Sequence, residues 1–220
     1  QEQLLLNIGC TDSSNVAIFV PLYDKLLHEY PHLDLNIQSH HSSELYNMLI
    51  EHNIDIGFVY HQLHYKNIIS EKVLEENLYL VQSEYPSIPK PLVHTDELDP
   101  SKELYLSWDG NFPIWHDRWF SSVSRPHISA DTIALLDRLW KSKDTWLIAP
   151  ESAIRELARY RRLYVSELKN PAPKRVCYKI KHKYPKVTSK HAVELFEEKL
   201  EEFFQEPQPV IPLGEVWNLK

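Results

Sequence analysis

Apolar and polar positions along this chain follow two alternating rhythms. Leu4-Leu5-Leu6-Asn7-Ile8-Gly9 is a short apolar run with the length of a strand, closed by a turn of small polar residues, Cys10 to Ser14. From there the spacing becomes helical, entered through Asp12, Ser13 or Ser14, residue types that cap helix N-termini. Val16, Phe19, Val20, Tyr23, Leu26, Leu27 and Tyr30 form the stripe expected to face a core, with Ile18 and Leu22 one turn apart on a second face. Pro21 removes a backbone donor, which predicts a kink or early break near residues 17–20, and Tyr30-Pro31 closes the helix.

The period returns to two in Leu33-Asp34-Leu35-Asn36-Ile37-Gln38. A second polar turn, Ser39 to Ser43, predicts a helix capped by Ser42 or Ser43 and running to about Glu51. Ile54 to Tyr60 reads as a third strand. Strand–helix–strand–helix–strand in sixty residues implies a parallel sheet with right-handed crossovers. Residues 68–82 predict one or two strands leaving this unit, followed by a proline-punctuated stretch at Pro86, Pro89, Pro91 and Pro100. A second series follows. Strands are predicted at Leu104–Ser107, His127–Ser129, Trp146–Ala149, Leu163–Val165 and Arg175–Lys181. Helices are predicted at Ile114–Phe120, from the cap Ala130-Asp131-Thr132 to Trp140, from Pro150, and at Ser189–Phe204. The tail from Glu206, with Pro207, Pro209 and Pro212, is expected to be loosely held.

Composition narrows the classes. The chain is 43% hydrophobic and 25% charged, values of a folded domain rather than a disordered segment. No apolar run approaches the ~20 residues of a membrane helix, and nothing resembling an export signal precedes the first strand, so a cytoplasmic protein without membrane contact is expected. The net charge of −7 argues against a grip on nucleic acid by this chain alone. Arg155, Arg159, Arg161 and Arg162 share their helix with Glu151 and Glu156, as a solvated face does. Two cysteines far apart, Cys10 and Cys177, do not make a disulfide scaffold, and Cys10 is expected to be buried and inert. His61-x-x-His64 has no companion cluster, so neither metal nor cofactor is expected. There is no GxSxG, phosphate loop or other catalytic motif, so the chain does not read as an enzyme.

The order of segments resembles the effector-binding domain of LysR-type transcriptional regulators. The residues that carry it are Leu5-x-x-Ile8-Gly9 with its Ser/Thr turn, the helix ending Glu29-Tyr30-Pro31, Leu33-Asp34-Leu35, Ser43-Glu44-Leu45 and Ile54-Asp55-Ile56-Gly57. Leu147-Ile148-Ala149-Pro150-Glu151-Ser152, Arg175-Val176-Cys177-Tyr178 and the helix from Ala192 to Phe204 continue it. The glycines usual before the 147–152 segment are replaced by Lys141 to Trp146. The resemblance implies an α/β fold of the type 2 periplasmic-binding-protein kind, two Rossmann-like subdomains joined by two crossover strands. Subdomain I would comprise residues 1–75 plus 182–205 and subdomain II residues 76–181, with 206–220 a C-terminal tail. It implies a small-molecule effector, a homodimer or homotetramer, and DNA binding only through an N-terminal winged helix-turn-helix that this chain does not contain. A solute-binding protein of a transport system shares the fold and is the alternative.

Mapped onto that fold, four strand-end loops would line an inter-lobe cleft: Thr11–Ser14, Ser39–Ser43, Trp108–Gly110 and Ser129–Thr132, with Leu147–Pro150 behind them. The candidate effector contacts are Thr11, Asp12, Ser13, Ser14, His40, Ser42, Trp108, Asp109, Ser129, Asp131, Thr132 and Ala149. The plainer reading of the Ser, Thr and Asp residues is helix capping, which is compatible with ligand contact. The loops hold Asp12, Asp109 and Asp131 but no Lys or Arg, which favours a neutral, zwitterionic or singly charged effector. The family's pairing of helices across subunits makes Ile18, Leu22, Leu135 and Leu139 the expected dimer face, with lobe core as the alternative for all four.

Overall fold

The computed structural model describes residues 3–120 and 124–220. The chain divides into two compact units, residues 1–75 with 176–208 and residues 76–175 with 209–220. The second crossover thus falls at Arg175–Val176, six residues earlier than the sequence suggests, and the strand it begins belongs to the first unit.

In the first unit β1 (Leu4–Cys10) leads to a short helix α1 (Asp12–Ser14), a π-helical turn (Asn15–Phe19) and α2 (Val20–Glu29). Then come β2 (Leu33–Ser39), α3 (Ser42–Ile50), β3 (Ile56–Val59) and β4 (Ile68–Glu76). The sheet has the order β2-β1-β3-β11-β4, where β11 is Arg175–His182. β1 runs parallel to β2 from Leu4↔Leu33 to Cys10↔Ser39 and parallel to β3, while β11 is antiparallel to β3. One face packs Leu6, Ile8 and Cys10 against Phe19, Leu22 and Leu26 and against Phe196 and Leu200 of the last helix, Val187–Gln205. The other face packs Leu45, Tyr46 and Leu49 of α3 against Ile54, Val59 and Ile180. Full burial of each such Leu or Phe contributes about 1.5–3 kcal/mol. Gly9 leaves room where α3 crosses β1: a Cβ there would lie 2.5 Å from Leu45 Cδ2 and 3.0 Å from Ile54 Cδ1, so the buried Leu45 side chain would have to shift.

The helix after β1 differs in phase from the sequence pattern. Its apolar residues occupy most of the circumference, so two stripes compete. The stripe that wins is Ile18, Phe19, Leu22, Tyr23 and Leu26, all buried, while Val20 and Leu27 are 50% and 49% exposed. Ile18 and Leu22, expected on a dimer face, are therefore lobe core. The wider π turn absorbs the break expected before Pro21, which occupies the tolerated first turn of α2. The caps also lie one residue earlier than expected: Thr11 precedes α1, and His41 precedes α3, with the Glu44 carboxylate accepting the His41 N–H.

The second unit is built on β5 (Leu78–Ser83), β6 (Leu92–Val93), β7 (Leu104–Tyr105), α4 (Phe112–Trp119), β8 (Ile128–Ser129) and α5 (Ile133–Leu139). It continues with β9 (Trp146–Pro150), α6 (Glu151–Ala158) and β10 (Leu163–Leu168). The last helix, introduced above, is α7, and β12 is Val216–Trp217. The sheet β12-β10-β5-β9 is antiparallel throughout, with β6 added parallel to β10. Pro150 stands just outside α6 as its N-cap rather than at the first helical position. The tail is not loosely held. Gly214 donates to the Val165 carbonyl, Leu219 to that of Ala158, and Arg155 Nε to that of Pro209, while β12 pairs with β10 at Leu163 and Tyr164. Its prolines exclude a helix, as expected, but not an extended strap.

Candidate functional site

Three strands of the first unit, β1, β2 and β3, end at the same edge of the sheet because they run parallel. Thr11, Ser13 and Ser14 follow β1 in a turn that is nearly closed to solvent, at 7%, 7% and 0% exposure. The Thr11 hydroxyl donates to Ser14 Oγ at 2.9 Å and lies 3.4 Å from Ser13 Oγ. Ser14 Oγ is 2.5 Å from the hydroxyl of Tyr60, the first residue beyond β3. Ser42 Oγ accepts the Tyr60 backbone N–H at 3.1 Å, which ties the start of α3 to the same point.

Asn15 stands beneath this cluster, with its side chain held in the interior at the start of the π turn. Its Oδ1 accepts from the Cys10 thiol at 2.8 Å and from the Tyr23 hydroxyl at 2.7 Å. Its Nδ2 donates to Ser39 Oγ at 2.9 Å. One amide thus links the ends of β1 and β2 to α2. Burial, and secondarily the neighbouring Cys10, raise the Tyr23 phenol far above its ordinary value, so it remains a neutral donor. Cys10 is fully buried, as expected.

The sequence-derived residues of this unit divide accordingly. Thr11, Ser13 and Ser14 are brought together, and Ser42 joins them through Tyr60. Asp12, half-buried, sits within the same turn. His40 lies at the rim, with its Nδ1 3.3 Å from Glu44 Oε2, so a carboxylate already faces the nearest possible cation. No Lys or Arg lies on these loops. Asn15 and Tyr60 were not anticipated. Tyr60 had a usable signal, its place at the carboxyl end of a strand. Asn15 had only its polarity within an apolar helix.

The candidates of the second unit play other parts within it. Trp108 is 1% exposed, and its indole N–H donates to the Ile148 carbonyl at 2.7 Å. The Arg175 guanidinium lies 5.5 Å from the Trp108 ring, and its Nε donates to the Trp108 carbonyl at 2.9 Å. Ala149 is fully buried in β9 opposite Tyr79. Trp108 and Ala149 are thus core residues of that unit. Asp109 and Gly110 form a left-handed turn with φ of 58° and 61°. Ser129 pairs with Tyr105 between β8 and β7, and Thr132 caps α5 by accepting the Leu135 N–H at 3.2 Å. Asp131 is exposed beside it, and Leu135 and Leu139 are 46% and 47% exposed on the outside of α5. Glu76 is buried with Oε1 accepting the Ser152 N–H at 2.7 Å; burial raises its carboxyl above the usual range against the opposing pull of Arg175.

Comparison with known proteins gives one consistent result. Residues 1–202 match the family model described as the LysR substrate binding domain. No curated protein matches the sequence. Among solved structures, the regulatory domain of MexT, a transcriptional activator of Pseudomonas aeruginosa, aligns with a TM-score of 0.73 and 16% identity, covering 90% of this chain and 99% of that one. The reduced regulatory domain of OxyR2 from Vibrio vulnificus aligns at 0.69 and 15% identity, over 92% and 97% of the two chains. Full-length OxyR from Pseudomonas aeruginosa aligns at 0.72 and 14% identity over 90% of this chain, which spans 65% of it. At these identities the likeness establishes the fold.

Proposed function

The chain belongs to the LysR substrate binding domain family, and from that premise we propose that it senses a small-molecule effector on behalf of a transcriptional regulator. The site is the hydroxyl cluster of the first unit, Thr11, Ser13, Ser14 and Tyr60. The observation that carries this reading is the convergence of those hydroxyls where three parallel strands end, the edge at which α/β sheets hold ligands. Hydroxyls donate and accept, so they suit a polar ligand of either character. With no lysine or arginine on the loops and His40 facing Glu44, the site favours a neutral or zwitterionic metabolite over a strong anion. Binding there reorganises the Ser14–Tyr60 contact, which offers a route for relay if the bound and free states differ in that pairing. Membership of this family also favours sensing over the transport alternative.

The regulator would act as an oligomer. Because Ile18 and Leu22 are core, the dimer surface passes to the exposed residues of the same helix, Val20 and Leu27, together with Leu135 and Leu139 on α5. No helix among the described residues is long and apolar enough to cross a membrane.

The test of the site is a thermal-shift screen of metabolites against the chain, followed by titration of each hit into Ser14→Ala and Tyr60→Phe. Each variant should weaken binding by about tenfold, the value of one hydrogen bond of roughly 1–1.5 kcal/mol. Unchanged affinity in both would remove the cluster from the site.

A further inference from the structure

Between Glu167 and Glu194 the sequence has seven lysines and one arginine and no acidic residue, in a chain of net charge −7. The inner lysines of this run are neutralised. Lys179 lies 2.9 Å from Glu71 and 2.6 Å from Glu197, and Lys181 lies 2.8 Å from Glu197. Beyond Lys181 the compensation thins. The His182 ring lies against that of His52 at the end of α3, with centroids 4.6 Å apart. The Lys186 ammonium donates to the His52 carbonyl at 2.7 Å. The Lys183 backbone N–H donates to the Asn67 carbonyl at 2.7 Å, which brings Lys66 alongside. Lys190, in the first turn of α7, extends the patch; its one acidic neighbour, Glu194, is 3.9 Å away on the exposed surface. Glu51, next to His52 in the chain, accepts from Asn53. Among the described residues no carboxylate lies within ion-pair distance of Lys66, Lys183, Lys186, His52 or His182. The patch is also remote from the hydroxyl cluster. Lys181 pairs with Ile56 at the start of β3, whereas Tyr60 follows its end.

We propose that this patch binds the phosphate backbone of duplex DNA without regard to sequence. Its lysines, Lys66, Lys183, Lys186 and Lys190, are exposed, carried on flexible stems and spread over the loop before β4, the turn after β11 and the first turn of α7. A single small anion requires converging donors in a shielded cradle. A row of phosphates requires only spaced point charges, which lysines supply. The acidic total does not forbid this, because charges more than about 8–10 Å from the contact are screened at ordinary salt. The choice of DNA among linear polyanions rests on the regulator reading above; the placement of the cations does not.

The test is fluorescence anisotropy of the chain with a labelled random-sequence duplex two helical turns long, across a salt series and without any effector. Binding in the range of non-specific contacts, about 10⁻⁴–10⁻⁶ M, is expected, with a slope of log K on log salt near −3 if about three phosphates are neutralised. Lys183→Gln with Lys190→Gln should weaken binding by about tenfold and reduce the slope by about two. These side chains tie no core, so an unchanged melting temperature should accompany the loss. Arg159→Gln with Arg162→Gln, on the basic cluster of α6 and the turn after it, should leave binding unchanged. Absence of binding at low salt, unchanged binding in the lysine variant, or equal loss in the arginine variant would overturn the proposal. So would displacement of the duplex by inorganic phosphate at equal charge, or equally tight binding of heparin. Because no effector enters the measurement, a chain that binds duplex but no metabolite would leave the patch standing and remove only the effector site.

Discussion

At Asn15 a single oxygen serves two buried donors, and that arithmetic sets what its loss would cost. Asn15→Leu keeps the volume but strands the buried Tyr23 hydroxyl, takes from the Cys10 thiol its nearer acceptor while the Thr11 carbonyl stays 3.4 Å away, and gives up the bond to the exposed Ser39. The buried donor left unsatisfied costs about 1–3 kcal/mol and the lost thiol bond about 1 kcal/mol more, so a loss of about 2–4 kcal/mol is expected by urea denaturation. Tyr23→Phe removes one donor and leaves Asn15 with the other, so it should cost about 1 kcal/mol. Equal losses in the two would mean that the amide is not the centre of the network. Glu197 makes a different prediction, one of pH. Burial pushes its carboxyl up, but the hydrogen bonds and charges of Lys179 and Lys181 outweigh that and hold it below the usual carboxylate range. A depressed carboxylate contributes stability that is present above its unfolded value, about 4.3, and is lost as pH falls through the folded one. Glu197→Gln should therefore melt several degrees lower than the parent at neutral pH, with the gap narrowing below pH ~4 as the parent loses its own carboxylate. A constant gap across that range would assign the effect to packing.

At the scale of elements, the sequence was most legible where one pattern had one solution. β1, β2 and β3 follow from their apolar runs and the polar turns between them, and with parallel pairing they place Thr11, Ser13 and Ser14 at a common edge. The helix after β1 was ambiguous because nearly every side of it is apolar. Periodicity cannot say which of two overlapping stripes faces the sheet; the fit of Ile18 and Leu22 against Leu6 and Ile8 decides it. The same fact explains why Ile18 and Leu22, expected on a dimer face, are buried within the unit. Val20 and Leu27 share the outer side of α2, about two turns apart, and both are half exposed. Replacing both with Asp should give a folded monomer by light scattering, with a melting temperature close to that of the dilute parent. Leu22→Asp should instead unfold the unit, since it places an unpaired charge in the core. A Val20/Leu27 variant that stays dimeric would remove α2 from the interface.

For the molecule as a whole, a poorly legible feature was the second change of units, because β11 carries no compositional mark where it occurs. β11 looks continuous from Arg175 to Lys181, yet its first residue belongs to one unit and the rest to the other. The tail shows the opposite failure: three prolines suggested a loosely held segment, but proline forbids only helix and interior ladder positions. Extended chain at a sheet edge satisfies it, and β12 covers the edge of β10 at Leu163 and Tyr164. These residues lie beyond the family match, which stops at residue 202. An uncovered β10 would present unpaired N–H and C=O groups along an edge, the usual template for pairing with another chain. Ending the chain after Gln208 should therefore do two things. It should lower the melting temperature by several degrees, through lost backbone hydrogen bonds at Val165, Ala158 and β12. It should also make the protein aggregate at concentrations where the full chain stays dispersed, read as rising light scattering on gentle heating. Restoring the edge by adding the 209–220 peptide in excess should reverse the scattering. A truncated chain that melts and scatters like the parent would show that the strap covers an edge needing no cover.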